Sequence, residues 1–285
     1  MFIDIHAHLN DERLISDVEN VILRAKEQGV GKIVCAGSDY NSSKIAVELA
    51  NKNKNVYATV GLHPQNCIEF DKKMEKFIID SAKNQKVVAV GEIGLDFYDL
   101  EYQIREEKKR NPNFEGISYE ELREKQKEIF IKQIKLANKV GLPIMIHMRD
   151  ATEQTIRILE ENKNLLEKGG LLHCYSGSLE TTKKIFDLGF YVSIGGSITF
   201  KNARVMPEVL KEVGIERVCL ETDCPYLSPE PFRGRTNEPK NIPLIAEKIA
   251  QITNKNIKDV EDVTTENCYK VFPRLKNDWY KKLRV

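Results

Sequence analysis

A single (β/α)8 barrel of the TIM type is the fold this sequence predicts, on three observations. Short β-rich runs alternate with longer amphipathic segments along the chain, eight of each. Several of the runs are apolar throughout, such as Val87-Val88-Ala89-Val90 and Pro143-Ile144-Met145-Ile146, as parallel strands buried on both faces are. A length of 285 residues suits one such barrel. An open doubly wound sheet shares the same rhythm and is the alternative.

Strand one, 2–6, follows Met1 at once and leads into a helical pattern at 11–28. Strands 32–36 and 56–61 precede helices at 42–53 and 71–84, and strand four is expected at 87–91. The fourth unit breaks the rhythm: 99–120 is charged, carries Arg105-Glu106-Glu107-Lys108-Lys109-Arg110, and passes through Asn111-Pro112-Asn113 and Gly116. It ends at Ser118-x-x-Glu121, a capping box that opens a helix over 118–140. The segment reads as a solvated insertion. Its departure from the C-terminal end of strand four also places it where a flap over a barrel site would lie. Strands at 143–147, 170–173, 190–194 and 217–222 follow, with helices at 152–166, 179–188, 204–213 and 239–252. An added helix at about 256–276 and a tail with Trp279 and Tyr280 complete one domain, 1–285, undivided by repeats or low-complexity linkers.

Composition narrows the function classes. A net charge of +1 excludes overall attraction to polyanions, so any contact with nucleic acid rests on a local patch. With no signal peptide after Met1 and no apolar run of membrane-spanning length, a cytoplasmic protein without a membrane role is expected. The six cysteines show no C-x-x-C spacing, as expected of reduced, mostly buried thiols.

The chemistry is carried by the histidines. His6 and His8 lie two apart at the end of strand one, and residues two apart in a strand point to one side. His63 follows strand three, His147 ends strand five and His173 ends strand six, so all five histidines of the chain fall at strand ends. Histidines kept only for packing would also fall on helices and loops. Glu92 after strand four and Asp223 after strand eight occupy comparable positions. In a barrel these side chains converge on one mouth and form a metal site with mixed nitrogen and oxygen ligands. Six ligands exceed what one catalytic ion with open positions needs, and two ions use them more naturally. His6, His8 and Asp223 are expected to hold one ion, His147 and His173 the other, with Glu92 bridging. Such ligands suit Zn, Mn, Fe or Co and also accommodate Mg.

With these stretches in view, the sequence resembles the TatD family of metal-dependent deoxyribonucleases, among the amidohydrolase-like metallohydrolase barrels. The resemblance is carried by Ile5-His6-Ala7-His8-Leu9, Gly61-Leu62-His63-Pro64, Gly91-Glu92-Ile93-Gly94-Leu95-Asp96, His147-Met148-Arg149-Asp150-Ala151, His173-Cys174-Tyr175-Ser176-Gly177 and Glu221-Thr222-Asp223-Cys224-Pro225-Tyr226-Leu227, with Arg233-Gly234-Arg235-x-Asn237-Glu238-Pro239 completing the set. It spans nearly the whole chain. It implies a TIM-type barrel that hydrolyses DNA phosphodiesters with divalent metals, from the 3′ end. The family's metal ligands carry over to His6, His8, Glu92, His147, His173 and Asp223. The 99–120 segment is longer than the family pattern and bears on the shape of the substrate groove.

The expected mechanism uses a water activated between two divalent ions, with Asp223 orienting it and accepting its proton. Glu92 and His63 complete the catalytic set, His63 through the substrate phosphate, the leaving group or a ligand's orientation. Arg149, Arg233, Arg235, Lys201 and Arg204 are the candidates for phosphate contact, Lys201 and Arg204 being equally readable as solvated surface. Asp96, Glu221 and Asp150 are expected to orient ligands or loop backbone. Tyr226, Phe232, Tyr175 and, more weakly, Phe200 are candidates for stacking on bases, with core packing as the plainer reading of each. The expected substrate is DNA, single-stranded or at 3′ ends, with RNA as an alternative. A monomer without an obligate protein partner is expected. Two other readings compete: an amide, lactone or small-phosphoester hydrolase on the same barrel, and a non-enzymatic protein that binds metal or nucleic acid. The first typically bridges its metals with a carboxylated lysine at strand four, where this chain has Glu92 and no lysine from Val87 to Asp96. The second would be expected to lose ligands, and none is lost here.

Overall fold

The structure, a computed structural model, describes residues 1–276, so Trp279 and Tyr280 lie outside it. Among the described residues, eight strands form one sheet in sequence order, each pair parallel: β1 (Phe2–Ala7), β2 (Val30–Cys35), β3 (Val56–Val60), β4 (Val87–Asp96), β5 (Ile144–Arg149), β6 (Gly170–Leu172), β7 (Tyr191–Ile194) and β8 (Val218–Leu220). That order excludes the doubly wound alternative, whose strand order reverses part-way. The seam between β8 and β1 is tied by the Asp223 N–H donating to His6 O at 3.0 Å and the His8 N–H donating to Cys224 O at 2.7 Å. Beneath them the buried Asp4 carboxylate accepts from the Thr222 N–H at 2.9 Å and the Thr222 hydroxyl at 2.5 Å. The sheet is a barrel.

The helices between the strands are α1 (Glu12–Ile15), α2 (Val18–Glu27), α3 (Tyr40–Lys52), α4 (Lys72–Ser81), α5 (Leu100–Arg110), α6 (Tyr119–Val140), α7 (Thr152–Glu161), α8 (Leu179–Asp187) and α9 (Val205–Val213), with α10 (Ile242–Thr253) and α11 (Ile257–Val271) after β8. The helix expected over 11–28 is broken at Ser16 and Asp17, and those expected at 152–166 and 239–252 give up a turn to 3₁₀ geometry at one end. The capping box at Ser118 forms as the spacing predicts: the Glu121 N–H donates to the Ser118 hydroxyl, and the Glu121 carboxylate accepts from the Ser118 N–H. Gly141, at φ 70°, ends α6 in the left-handed region.

The 99–120 segment, expected as a solvated insertion, is exposed over most of its length and partly helical. Its first half is a helix, α5, capped by the Asp99 side chain. The hydrophobic pattern is thin because the helix docks through a polar contact. Buried Gln103 donates from Nε2 to Asp96 O at 3.1 Å and to Tyr98 O at 2.8 Å, while buried Gln126 donates to Asp96 O at 2.9 Å and accepts from the Asp96 N–H at 2.8 Å. Two helices therefore fix the end of β4, which runs five residues beyond its expected limit at 91.

Packing decides which end of the barrel is open. Ile3, Ile5, Val34, Val88, Met145, Leu171 and Cys219 fill the interior, joined by Cys268, Val271, Phe272 and Leu275 from the C-terminal segment. The Arg274 guanidinium donates to the Val87 carbonyl at 2.6 Å, at the first residue of β4, so this segment closes the N-terminal end of the strands. The larger outer layer packs between strands and helices. Polar side chains are left to gather at the C-terminal mouth.

Candidate metal centre

Two irregularities in the sheet set the centre. The β1–β2 register shifts between Asp4 and Ala7, a span that contains His6, and the β4–β5 register shifts between Val90 and Ile93, a span that contains Glu92. Ile3 and Ile5 pack inside the barrel while Ala7 packs in the outer layer, so the strand changes phase at this bulge. A bulge re-aims side chains without ending the strand. Asp150, Cys174 and Asp223 leave their strands through left-handed backbone, at φ 52°, 46° and 53°, a conformation that Asp tolerates better than most residues.

The six expected ligands meet. His6 Nε2 and His8 Nε2 lie 3.1 Å apart, and Asp223 Oδ1 stands 3.5 Å from the first and 3.4 Å from the second. Across the cluster, His147 Nδ1 and His173 Nε2 also lie 3.1 Å apart. Glu92 sits between the pairs and divides its oxygens. Oε1 is 2.8 Å from both His147 and His173, while Oε2 is 3.6 Å from His6 and 3.9 Å from His8. His63 Nε2 comes within 3.4 Å of Oε1. The ligand atoms of His6, His8 and Glu92 fall within the spread one ion can gather, as do those of His63, Glu92 and His147, and those of His6, His173 and Glu221.

Carboxylates outside this set orient it. Asp96 Oδ2 is 3.2 Å from His147 Nε2 and accepts from Gln65 Nε2 at 2.8 Å. Glu221, fully buried, accepts from the Cys174 N–H at 2.6 Å and the Ser193 hydroxyl at 2.5 Å, with Oε2 3.9 Å from His173 Nδ1. Asp150 is exposed. His63 has its tautomer assigned by a neighbour: the Gln65 N–H donates to Nδ1 at 3.2 Å, which places the proton of a neutral ring on Nε2, toward Glu92.

The protonation states diverge within the cluster. Burial opposes a charge on Glu92, but the His173 and His63 imidazoles outweigh it and hold the carboxyl well below the carboxylate range. Burial likewise opposes protonation of His173, yet Glu92 overrides it and raises the imidazole to about 9. His6 goes the other way, driven well below the usual value by burial and then by His173. Burial lifts Glu221 to about 7. Imidazoles and carboxylates crowded at hydrogen-bond distance, one pair of nitrogens facing another, are a donor set that fits divalent cations.

This predicts a pH dependence for the protein freed of metal. His173 binds its proton more tightly folded than unfolded, so its contribution is complete below about pH 6.5 and is lost as pH rises through about 9. Urea midpoints measured in chelator should fall between pH 6.5 and 9.5, and more weakly in His173→Asn. An equal slope in both proteins would refute the assignment.

The mouth above Glu92 is a cavity of about 490 Å³. Of the five cations expected to contact phosphate, Arg149 lines it. The others lie outside: Lys201 and Arg204 are exposed on the β7–α9 connection, Arg233 stands over the Phe200 ring at 4.3 Å, and Arg235 is 5.7 Å from the Phe232 ring. Tyr175 is 4% exposed and shares a hydrogen bond with Thr182, so it packs in the core and is closed to a base. Gln65, Asn66, Asn10 and Asp11 line the cavity without having been expected there. Gln65 and Asn66 directly follow the His63-Pro64 motif, which was the available signal.

A sequence model described as TatD related DNase matches residues 3–273. The chain belongs to that family. TatD relatives of similar length include the uncharacterized metal-dependent hydrolase YabD of Bacillus subtilis, 39% identical over 95% of this chain and 99% of its own. Another is the uncharacterized metal-dependent hydrolase YcfH of Escherichia coli, 32% identical over 95% of each. Among solved structures, the TatD homologue YJJV of Escherichia coli superposes with a TM-score of 0.83 at 26% identity, covering 95% of this chain and 98% of its own. A TatD family hydrolase of Entamoeba histolytica gives 0.77 at 25%, covering 95% and 97%.

Proposed function

We propose that this TatD family member is a metal-dependent hydrolase of phosphodiesters, acting as a 3′–5′ DNA exonuclease. The observation that carries the reading is the division of the Glu92 oxygens between two imidazole pairs at the floor of the cavity. His6, His8 and Asp223 would hold one divalent ion, His147 and His173 a second, and Glu92 both. Bound there, divalent cations supply Lewis acidity that activates water near neutral pH and offsets charge on a phosphoryl group.

The chain's own residues do the rest. Asp223 accepts the proton of the attacking water as its oxygen bonds to phosphorus, and the 3′ oxygen that departs takes up a proton from solvent. A 5′-mononucleotide and a shortened strand with a 3′ hydroxyl result. The Asp223 carboxylate is placed for this because its own N–H is tied to His6 O across the barrel seam. His63, whose Nε2 proton faces Glu92 Oε1 at 3.4 Å, would steady that carboxylate and donate to a phosphoryl oxygen that comes within its reach. Arg149 adds positive charge at the cavity wall.

The test is cleavage of 5′-labelled single-stranded DNA after chelation, followed by addition of Mg, Mn, Zn, Co or Fe(II) in turn. A ladder that shortens from the 3′ end only with metal is the expected result. No cleavage with any ion, in protein that is folded and carries metal, would overturn the reading.

A further inference from the structure

Two tyrosines flank the cavity, and both are held. Tyr226 follows β8 and lines the cavity wall. Its ring lies edge-on to His8 at 6.1 Å between centroids, and its hydroxyl donates to Asp11 Oδ2 at 3.4 Å. The Arg13 guanidinium, paired with both Asp11 oxygens at 2.8 Å, stands 4.4 Å from the ring centroid. Tyr98 follows β4. The Arg149 guanidinium stands 3.7 Å from its ring centroid, the Tyr98 N–H donates to Asp96 at 3.0 Å, and Gln103 of α5 donates to its carbonyl at 2.8 Å. Despite this support, Tyr226 is 47% exposed and Tyr98 48%. Exposed aromatic rings held in place at the edge of a polar cavity are poorly explained by packing, since neither is part of the core.

Their positions are related through the barrel. In a closed ring of eight strands taken in sequence order, β4 and β8 are diametrically opposite. The two tyrosines therefore stand on either side of the cluster centred on Glu92. A cavity of about 490 Å³ holds a ligand of roughly nucleotide size; Tyr226 lines it, whereas Tyr98 packs against Arg149 of its wall.

We infer that Tyr226 and Tyr98 are two base-stacking platforms, Tyr226 for the terminal nucleotide and Tyr98 for the one before it, with the linking phosphate crossing the centre between them. The inference rests on the phosphodiesterase reading and specifies how its substrate is held. Bases drawn to opposite sides of the mouth can neither stack on one another nor remain paired, in keeping with the single-stranded DNA of that reading. An arginine on one face of an aromatic ring leaves the other face for a base, and stacking on that face tolerates any sequence. The α5 segment gains a role, since Gln103 anchors the Tyr98 backbone.

Three single-stranded oligonucleotides test it: one intact, one abasic at the 3′-terminal position and one abasic at the penultimate position. Binding is read by fluorescence anisotropy in chelator, and cleavage by kcat/KM with the activating metal. A stacked base contributes roughly 5- to 150-fold, so the native protein should prefer the intact strand over each abasic one by at least about 5-fold. In Tyr226→Ala the preference over the terminal-abasic strand should collapse while the other persists; in Tyr98→Ala the pattern should reverse. Tyr226→Phe and Tyr98→Phe should keep both. Preferences unchanged in the alanine variants, or none in the native protein, would overturn the inference. Cleavage with unchanged preferences removes the platforms alone, whereas preferences that collapse in binding without cleavage of any strand remove the phosphodiesterase reading alone.

Discussion

Glu92→Gln is expected to lower the proposed metal-dependent phosphodiester hydrolysis by about 10³-fold or more while the barrel stays folded. The physical reason is position. Glu92 is 3% exposed and lies within 4 Å of all five imidazoles of the chain, at 2.8, 2.8, 3.4, 3.6 and 3.9 Å. Gln keeps the shape but removes the charge that the imidazoles share, and it offers one oxygen where the carboxylate offers one to each pair. The His173 imidazole, held at about 9 chiefly by Glu92, should fall toward its ordinary value, which an NMR titration of the metal-free protein reads directly. Metal content by elemental analysis should drop with the activity. Turnover within tenfold of native, in protein with native circular dichroism, would remove Glu92 from the centre of the mechanism.

Gly94→Ala should destabilise the protein by roughly 4 kcal/mol or more, a cost reserved for a few mechanisms. Gly94 has φ 145°, a conformation closed to residues with a Cβ, and it pairs with His147 in the β4–β5 register. A Cβ placed there would stand 2.0 Å from the His147 carbonyl oxygen, and that atom is backbone, so no rotamer change relieves the contact. The strands must separate at the residue that carries a proposed ligand. Activity should therefore fall even where urea denaturation still shows a folded protein. A loss of stability below 1 kcal/mol would show that β4 and β5 do not approach as closely as the register requires.

The contrast between these two positions shows what was legible. Glu92 could be picked out because a carboxylate just after an apolar run is chemically conspicuous, and because five histidines shared its placement. Gly94 has no such signal: its requirement comes from a strand 53 positions away, and sequence periodicity records only near neighbours. The same limit explains α5. Its apolar pattern is sparse because Gln103 docks on backbone carbonyls through hydrogen bonds, and charge runs read as solvent-facing whether or not one residue among them is buried.

Local apolar periodicity determined the eight strand–helix units, because burial between sheet and helices imposes that pattern on any sequence that folds this way. The placement of His6, His8, Glu92, His147, His173 and Asp223 at strand ends was equally plain, since a barrel brings all its strand ends to one mouth. Tertiary structure alone decided how those side chains are aimed. His6 and Glu92 sit at register shifts, and a shift exists only between two strands. It alone decided which aromatics are open: Tyr175 is buried against Thr182, while Tyr226 is set by Asp11 and Arg13, more than two hundred residues earlier in the chain. Hydrophobic burial is written into sequence locally, residue by residue, whereas hydrogen bonds and register join residues whose separation along the chain carries no pattern.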